Sequence, residues 1–285
     1  MISVPVMRIA QIVLPNASAY ERKLQRIDHA ILSGRHQVLT VDSTEELDAD
    51  LAHVYGTDLP AAIFRRFPIP YVAPAAPREA RFRFRQPVKP RYVLSPVAPI
   101  DPEAYVQHLP EAVEDSYFST GSDPAGSGQA GLPVLHFVGV FDSARPGVRN
   151  MLEQTLARIQ RFRTDIEFRV FDTPPTPDDL AGVEAWVDPA TRESDFDGYT
   201  AEAIAAGKAV VASRTSINSQ RLENGRTGFL VPCNDPNEMT HAILTALFKL
   251  EVAELKIGAA RQTVGKFRPR QRLRILEKIY EAVAS

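Results

Sequence analysis

One cysteine, Cys233, stands in a chain of 285 residues. That scarcity excludes an intrachain disulfide and a zinc site of clustered cysteines, and it suits a reducing compartment. No apolar run approaches the ~20 residues a membrane-crossing helix needs. The opening stretch, "MISVPVMRIAQIVLP", lacks both a charged leader and a small-residue cleavage site. A cytoplasmic protein is therefore expected, at most peripheral to a membrane, with a β-strand near its start. Net charge is also small: 33 Lys and Arg against 35 Asp and Glu give −2, which argues against nucleic acid as a partner. Gly-x-Gly-x-x-Gly, a phosphate-loop lysine motif, a Gly-x-Ser-x-Gly elbow and internal repeats are all missing.

The composition that remains is that of a folded globular chain, with 44% hydrophobic and 24% charged residues. Its length allows two domains, each with a core of its own. "RIAQIVL" (8–14), "HQVLTV" (36–41) and "LAHVYG" (51–56) read as strands, and "PYVAP" and "RYVLSPV" as two more. Ser18 and Glu21 form a capping-box pattern ahead of a helix in which Tyr20, Leu24, Ile27 and Ile31 recur at helical spacing. From Asp101 the character changes, ending in the Gly/Ser-rich "STGSDPAGSGQAG" (119–131). Strands and helices then alternate again through "PVLHFVGVF", "IEFRVF", "AWVDP", "AVVAS" and "GFLVP", with a turn after "AVVAS". Alternation of this kind predicts parallel α/β sheets. The domains expected are 1–100, a linker at 101–131, and 132–285 including the terminal helices. Ligands of such sheets bind outside the carboxyl ends of the strands.

Two charged stretches stand out, the first with competing readings. "REARFRFRQPVKPR" (78–91) puts Phe82 and Phe84 on one strand face and Arg81, Arg83 and Arg85 on the other. It is either an edge strand with a solvated basic face or a contact for anionic lipid or a phosphorylated acceptor. The tail "KFRPRQRLRILEKIYEAV" is an amphipathic helix, with Leu273, Ile275, Ile279 and Val283 buried and its arginines solvated.

"AEAIAAGKAVVAS" (201–213) and "ENGRTGFLVPCNDPNEMTHAI" (223–243) carry the strongest signal. They resemble the Glu-Ala-Met-Ala-x-Gly-x-Pro-Val-Val-Ala and Asp/Glu-Gly-x-Thr-Gly-Leu-Leu-Val-Pro segments of group 1 (family 4) retaining glycosyltransferases. The N-terminal half is similar to that family only in "MRIAQIVLP", "DLAHVYG" and "RYVLSPVAPIDPEAY". The resemblance implies the GT-B fold: two Rossmann-like domains facing a cleft, here with the N-terminal one reduced. It implies metal-independent sugar transfer with retention from a nucleoside diphosphate sugar, no separate cofactor, and an acceptor the sequence does not name.

By that resemblance Glu202 holds the ribose, since a carboxylate accepts two hydrogen bonds at once. A first-turn acid is also favoured by the helix dipole alone. Backbone N–H groups at Gly198, Tyr199 and Thr200, with Arg145, would face the diphosphate. The family's donor-sugar carboxylate stands eight residues before the ribose one, which here is Ser194. Glu193 lies one residue further: either a one-residue insertion restores it to the sugar, or the first carboxylate is absent and Ser194 stands there. His53 matches a strand histidine of the family that faces the reacting centre, though a lone strand histidine is more often a core group.

The departures are several. Val140 stands at the family's phosphate-binding arginine, and Ser216, Ile217 and Gln220 replace a Gly-Gly turn and its following Glu. A side chain at Ile217 would obstruct the close approach that glycines permit. These losses support a rival reading, a degenerate GT-B-like protein that binds without turnover or serves as partner to an active enzyme. Asp195 and Asp197 match the Asp-x-Asp metal motif, yet sit inside a segment resembling a metal-independent family and suit helix capping.

Overall fold

The computed structural model describes residues 6–41, 48–56, 70–74, 92–95, 106–118, 135–141, 146–193 and 199–284. They form two compact α/β units: unit 1 comprises residues 1–112 and 267–285, and unit 2 comprises 113–266. The tail, numbered with the C-terminal domain although its helix resembles the GT-B helix that crosses back toward the N-terminal one, groups with unit 1.

Unit 1 is a parallel sheet of six strands: β1 (Arg8–Val13), β2 (Gln37–Val41), β3 (Leu51–Tyr55), β4 (Tyr71–Pro74), β5 (Tyr92–Ser95) and β6 (Val106–His108). Their order is β2-β1-β3-β4-β5-β6. Helix α1 (Ala19–Leu32) begins with the expected capping box. Glu21 N donates to Ser18 Oγ at 3.1 Å, and Ser18 N donates to Glu21 Oε2 at 2.7 Å. β6 lies inside the stretch read as linker.

Strand alternation gives this sheet two apolar faces. Ala10, Ile12, Ala52, Val54 and Tyr71 build one. On the other, Ile9, Leu51 and Val72 pack with the terminal helix through Leu276, Ile279, Tyr280 and Val283. Each such side chain taken fully out of water contributes roughly 1.5–3 kcal/mol, which explains why the tail joins unit 1.

Unit 2 is a parallel sheet of β7 (His136–Phe141), β8 (Ile166–Phe171), β9 (Ala185–Asp188), β10 (Ala209–Ser213) and β11 (Phe229–Val231), in the order β11-β10-β9-β7-β8. Its helices are α2 (Pro146–Gln160), α3 (Pro177–Ala181), α4 (Thr200–Ala205), α5 (Ser216–Arg221), α6 (Pro236–Phe248) and α7 (Leu250–Thr263). The tail helix of unit 1 is α8 (Pro269–Ala284). Gly139 on β7 faces Trp186 on β9, where an added Cβ would lie 2.6 Å from the indole ring. Gly207, at φ +72°, turns the chain from α4 into β10.

One short helix departs from expectation. "RTSINSQ" reads as a turn but forms α5, because Thr215 accepts from Asn218 N at 3.2 Å and Ile217 and Leu222 are buried. The segment before β9 holds α3, closed by a capping box of Thr176 and Asp179.

Candidate functional site

In unit 2, β7 lies between β8 and β9, so the strand order reverses there. A crevice outside the carboxyl ends at such a switch point is where open α/β sheets bind ligands. The strands that end there are β7 at Phe141, β9 at Asp188 and β10 at Ser213.

The chain leaves β9 through residues 189–199 and enters α4 at Thr200. Tyr199, its N-cap, adopts the left-handed conformation with φ 54° and ψ 29°. A non-glycine there is strained by about 1–3 kcal/mol, a cost that recurs at functional sites. Its ring packs edge-on against Phe141 with centroids 4.8 Å apart, joining the ends of β7 and β9. Glu202 follows in the first turn of α4 and is only 2% exposed. A 3-10 turn, Asp115–Phe118, packs against α4. From it Tyr117 donates to Pro175 O at 2.6 Å. Burial first, and the Glu202 carboxylate next, push the Tyr117 hydroxyl well above the usual phenol range.

Glu193 is exposed, and its Oε1 accepts from Ser216 N, the first residue of α5, at 2.6 Å. The fold thus brings Glu193 to the loop beyond β10, across 23 positions of sequence. Ile217 is 5% exposed, its side chain taken into the packing of unit 2. Arg145, Ser194, Gly198 and the Asp195/Asp197 pair lie outside the described residues, as does the 78–91 stretch. Among the described residues there is no cluster of three metal-ligating side chains, and no helix is long and apolar enough to cross a membrane.

A buried polar network under these loops went unread in the sequence. Asp188 Oδ2 accepts from Thr200 Oγ1 at 2.6 Å and from Asn218 Nδ2 at 3.0 Å. Asn218 Nδ2 also donates to Ser213 O, and its Oδ1 accepts from Arg221 at 3.1 Å. Ser213 Oγ accepts from Ala190 N at 2.8 Å. The signal that could have found it is an aspartate closing the apolar run "AWV" directly before a proline.

His53 sits in unit 1, on the β3 face that meets α1 and α8. It is 3% exposed, and Tyr280 Oη lies 2.6 Å from its Nδ1. Tyr55 donates its hydroxyl hydrogen to Asp28 at 2.9 Å, and its oxygen lies 3.2 Å from the same His53 nitrogen. Burial lowers the imidazole pKa to about 4, despite the nearby Asp28, so the ring is neutral near pH 7. Arg272 clamps Asp28 through Nε at 2.5 Å and a second nitrogen at 2.7 Å. Burial opposes the guanidinium charge, but Asp28 outweighs it and holds Arg272 charged. The expected solvated arginine is therefore a buried ion-pair partner. The imidazole expected at a reacting centre is committed to the interior of unit 1.

Residues 133–248 match the family model described as "Glycosyl transferases group 1". Among solved structures, the chain is similar to HepE of Anabaena in complex with UDP-glucose, with 13% identity and a TM-score of 0.75 over 96% of this chain and 100% of that one. A glycosyltransferase from Rickettsia africae superposes with TM-score 0.72 at 13% identity, covering 98% of each chain. Sucrose-phosphate synthase from Thermosynechococcus elongatus gives 0.69 at 14% identity, over 97% of this chain and 98% of that one. No curated protein matches. The fold is GT-B, and residues 133–248 are similar to the group 1 glycosyltransferases.

Proposed function

We propose that this divergent group 1-like chain transfers a sugar from a nucleoside diphosphate donor to an acceptor, with retention and without a metal. The bond from the sugar's anomeric carbon to the diphosphate breaks and one to an acceptor oxygen forms, while the acceptor gives up its proton. The leaving diphosphate gains charge that fixed cations and N–H groups must stabilise. The observation that carries the reading is the group 1 match over residues 133–248, which contain Glu202 in the first turn of α4 and Glu193 beside α5. Unit 2 then supplies Glu202 for the ribose, Arg145 with the Gly198, Tyr199 and Thr200 backbone for the diphosphate, and Glu193 or Ser194 for the sugar. The UDP-glucose complex of HepE makes UDP-sugars the first donors to try.

Thermal unfolding with UDP, GDP or ADP tests this, because a ligand that binds only the native state raises its apparent stability. A shift with at least one nucleotide is expected. Loss of that shift in Glu202→Gln, with the ligand-free melting temperature within a few degrees of wild type, would support the ribose role. No shift with any nucleotide would sink the reading. Transfer unchanged by a chelator, with product anomers followed by NMR, checks metal independence and retention.

Binding without turnover is the second reading. It is favoured by Glu193, whose carboxylate is taken up by Ser216 N–H. A nucleotide shift without donor hydrolysis or transfer would decide for it.

A further inference from the structure

We infer that Asp188 is a positioning residue for the nucleotide site, an assignment that rests on the donor-binding reading of unit 2. It sits 1% exposed at the carboxyl end of β9. One of its oxygens, Oδ2, binds the side chains of Thr200, two residues before Glu202, and of Asn218 in α5. A single buried carboxylate oxygen therefore ties the start of α4 to the helix whose first N–H holds Glu193.

Its other oxygen, Oδ1, is buried with no hydrogen-bond partner among the described residues. Leaving a buried carboxylate half-satisfied is costly, and such groups are rare in native interiors. A network serving packing alone would cost less with an apolar residue at 188. The bonds that are made all converge on the loops beyond β9 and β10. Asn218 anchors to Ser213 O and is held by Arg221, Thr215 Oγ1 accepts from Asn218 N, and Ser213 Oγ takes the Ala190 N–H after β9. Asp188 thus fixes Glu202 and Glu193 in one frame without touching a ligand, and sets the affinity that both carboxylates give.

The test measures UDP affinity by calorimetry on the full chain, together with amide hydrogen exchange of the free protein. Asp188→Asn and Thr200→Val are each expected to weaken UDP by about tenfold or more, the effect of losing a charge-assisted hydrogen bond that orders the site. Amides of both α4 and α5 should exchange faster in Asp188→Asn, while those of β7 keep their protection. Thr200→Ser, which restores a hydroxyl, should recover most of the affinity lost in Thr200→Val. Faster exchange with UDP affinity unchanged would overturn the inference and leave Asp188 a structural residue. Wild-type protein that binds none of UDP, GDP or ADP would overturn the donor reading itself, and this inference with it. That failure is recognised because it appears without any substitution.

Discussion

At the scale of single residues, His53 shows how burial redirects a reading. From sequence it is a strand histidine, and the alternation in "LAHVYG" fixes only that His53 shares a face with Leu51 and Tyr55. Its deciding contact, Tyr280, is 227 positions away, so no local pattern reveals it. The place of Glu202 in the first turn of α4 was legible because its helix and the following strand are one contiguous motif. Asp188 was not, because Asn218 and Thr200 become its partners only once β9 and β10 lie side by side. A pH prediction belongs here. The imidazole pKa falls from 6.5 to about 4 on folding, in the company of Asp28, Arg272, Tyr55 and Tyr280. Between those values the unfolded chain binds a proton that the native chain refuses, so stability is kept above pH 6.5 and lost as pH falls toward 4. Urea unfolding should show a steeper loss over that window in wild type than in His53→Gln. Parallel profiles would remove His53 as the cause.

Among the elements, long periodic ones were legible and short ones were not. The Ser18 capping box and the helix and strand of "AEAIAAGKAVVAS" follow from local chemistry. By contrast, Ser216, Asn218 and Ser219 favour turns by their side-chain hydrogen bonding, and only the burial of Ile217 and Leu222 draws the segment into a helix. β6 was missed because three residues beside a polar stretch carry too little periodicity to register. The pairing of β7 with β9 supplies a stability prediction. A methyl group at Gly139 meets the Trp186 ring at 2.6 Å, and Trp186 is fully buried, so the neighbour has little room to yield. Gly139→Ala should destabilise unit 2 by about 1–3 kcal/mol. An unchanged midpoint in urea would show that the indole moves aside.

For the whole molecule, the α/β class and the group 1 resemblance were readable from Pro133 onward, where the match to the family model falls. The N-terminal half was harder, since its interior is held by pairs distant in sequence, such as Asp28 with Arg272 and Arg35 with Glu277. The discontinuity of unit 1 has a measurable consequence. Removing residues 267–285 takes Leu276, Ile279, Tyr280 and Val283 out of its core and leaves Asp28 without Arg272. Amides of β1 and β3 should then lose hydrogen-exchange protection while those of β9 and β10 retain theirs. Equal loss in both sheets would contradict the division into units.

The same discontinuity sets a timetable for synthesis. A ribosome delivers all of residues 113–266 before it reaches the segment that completes unit 1. The half encoded second can therefore close its core first, and the half encoded first must wait, with the β1–β3 face uncovered, until α8 emerges. In a cell this interval is when the nascent chain is most exposed to chaperones and to wrong partners.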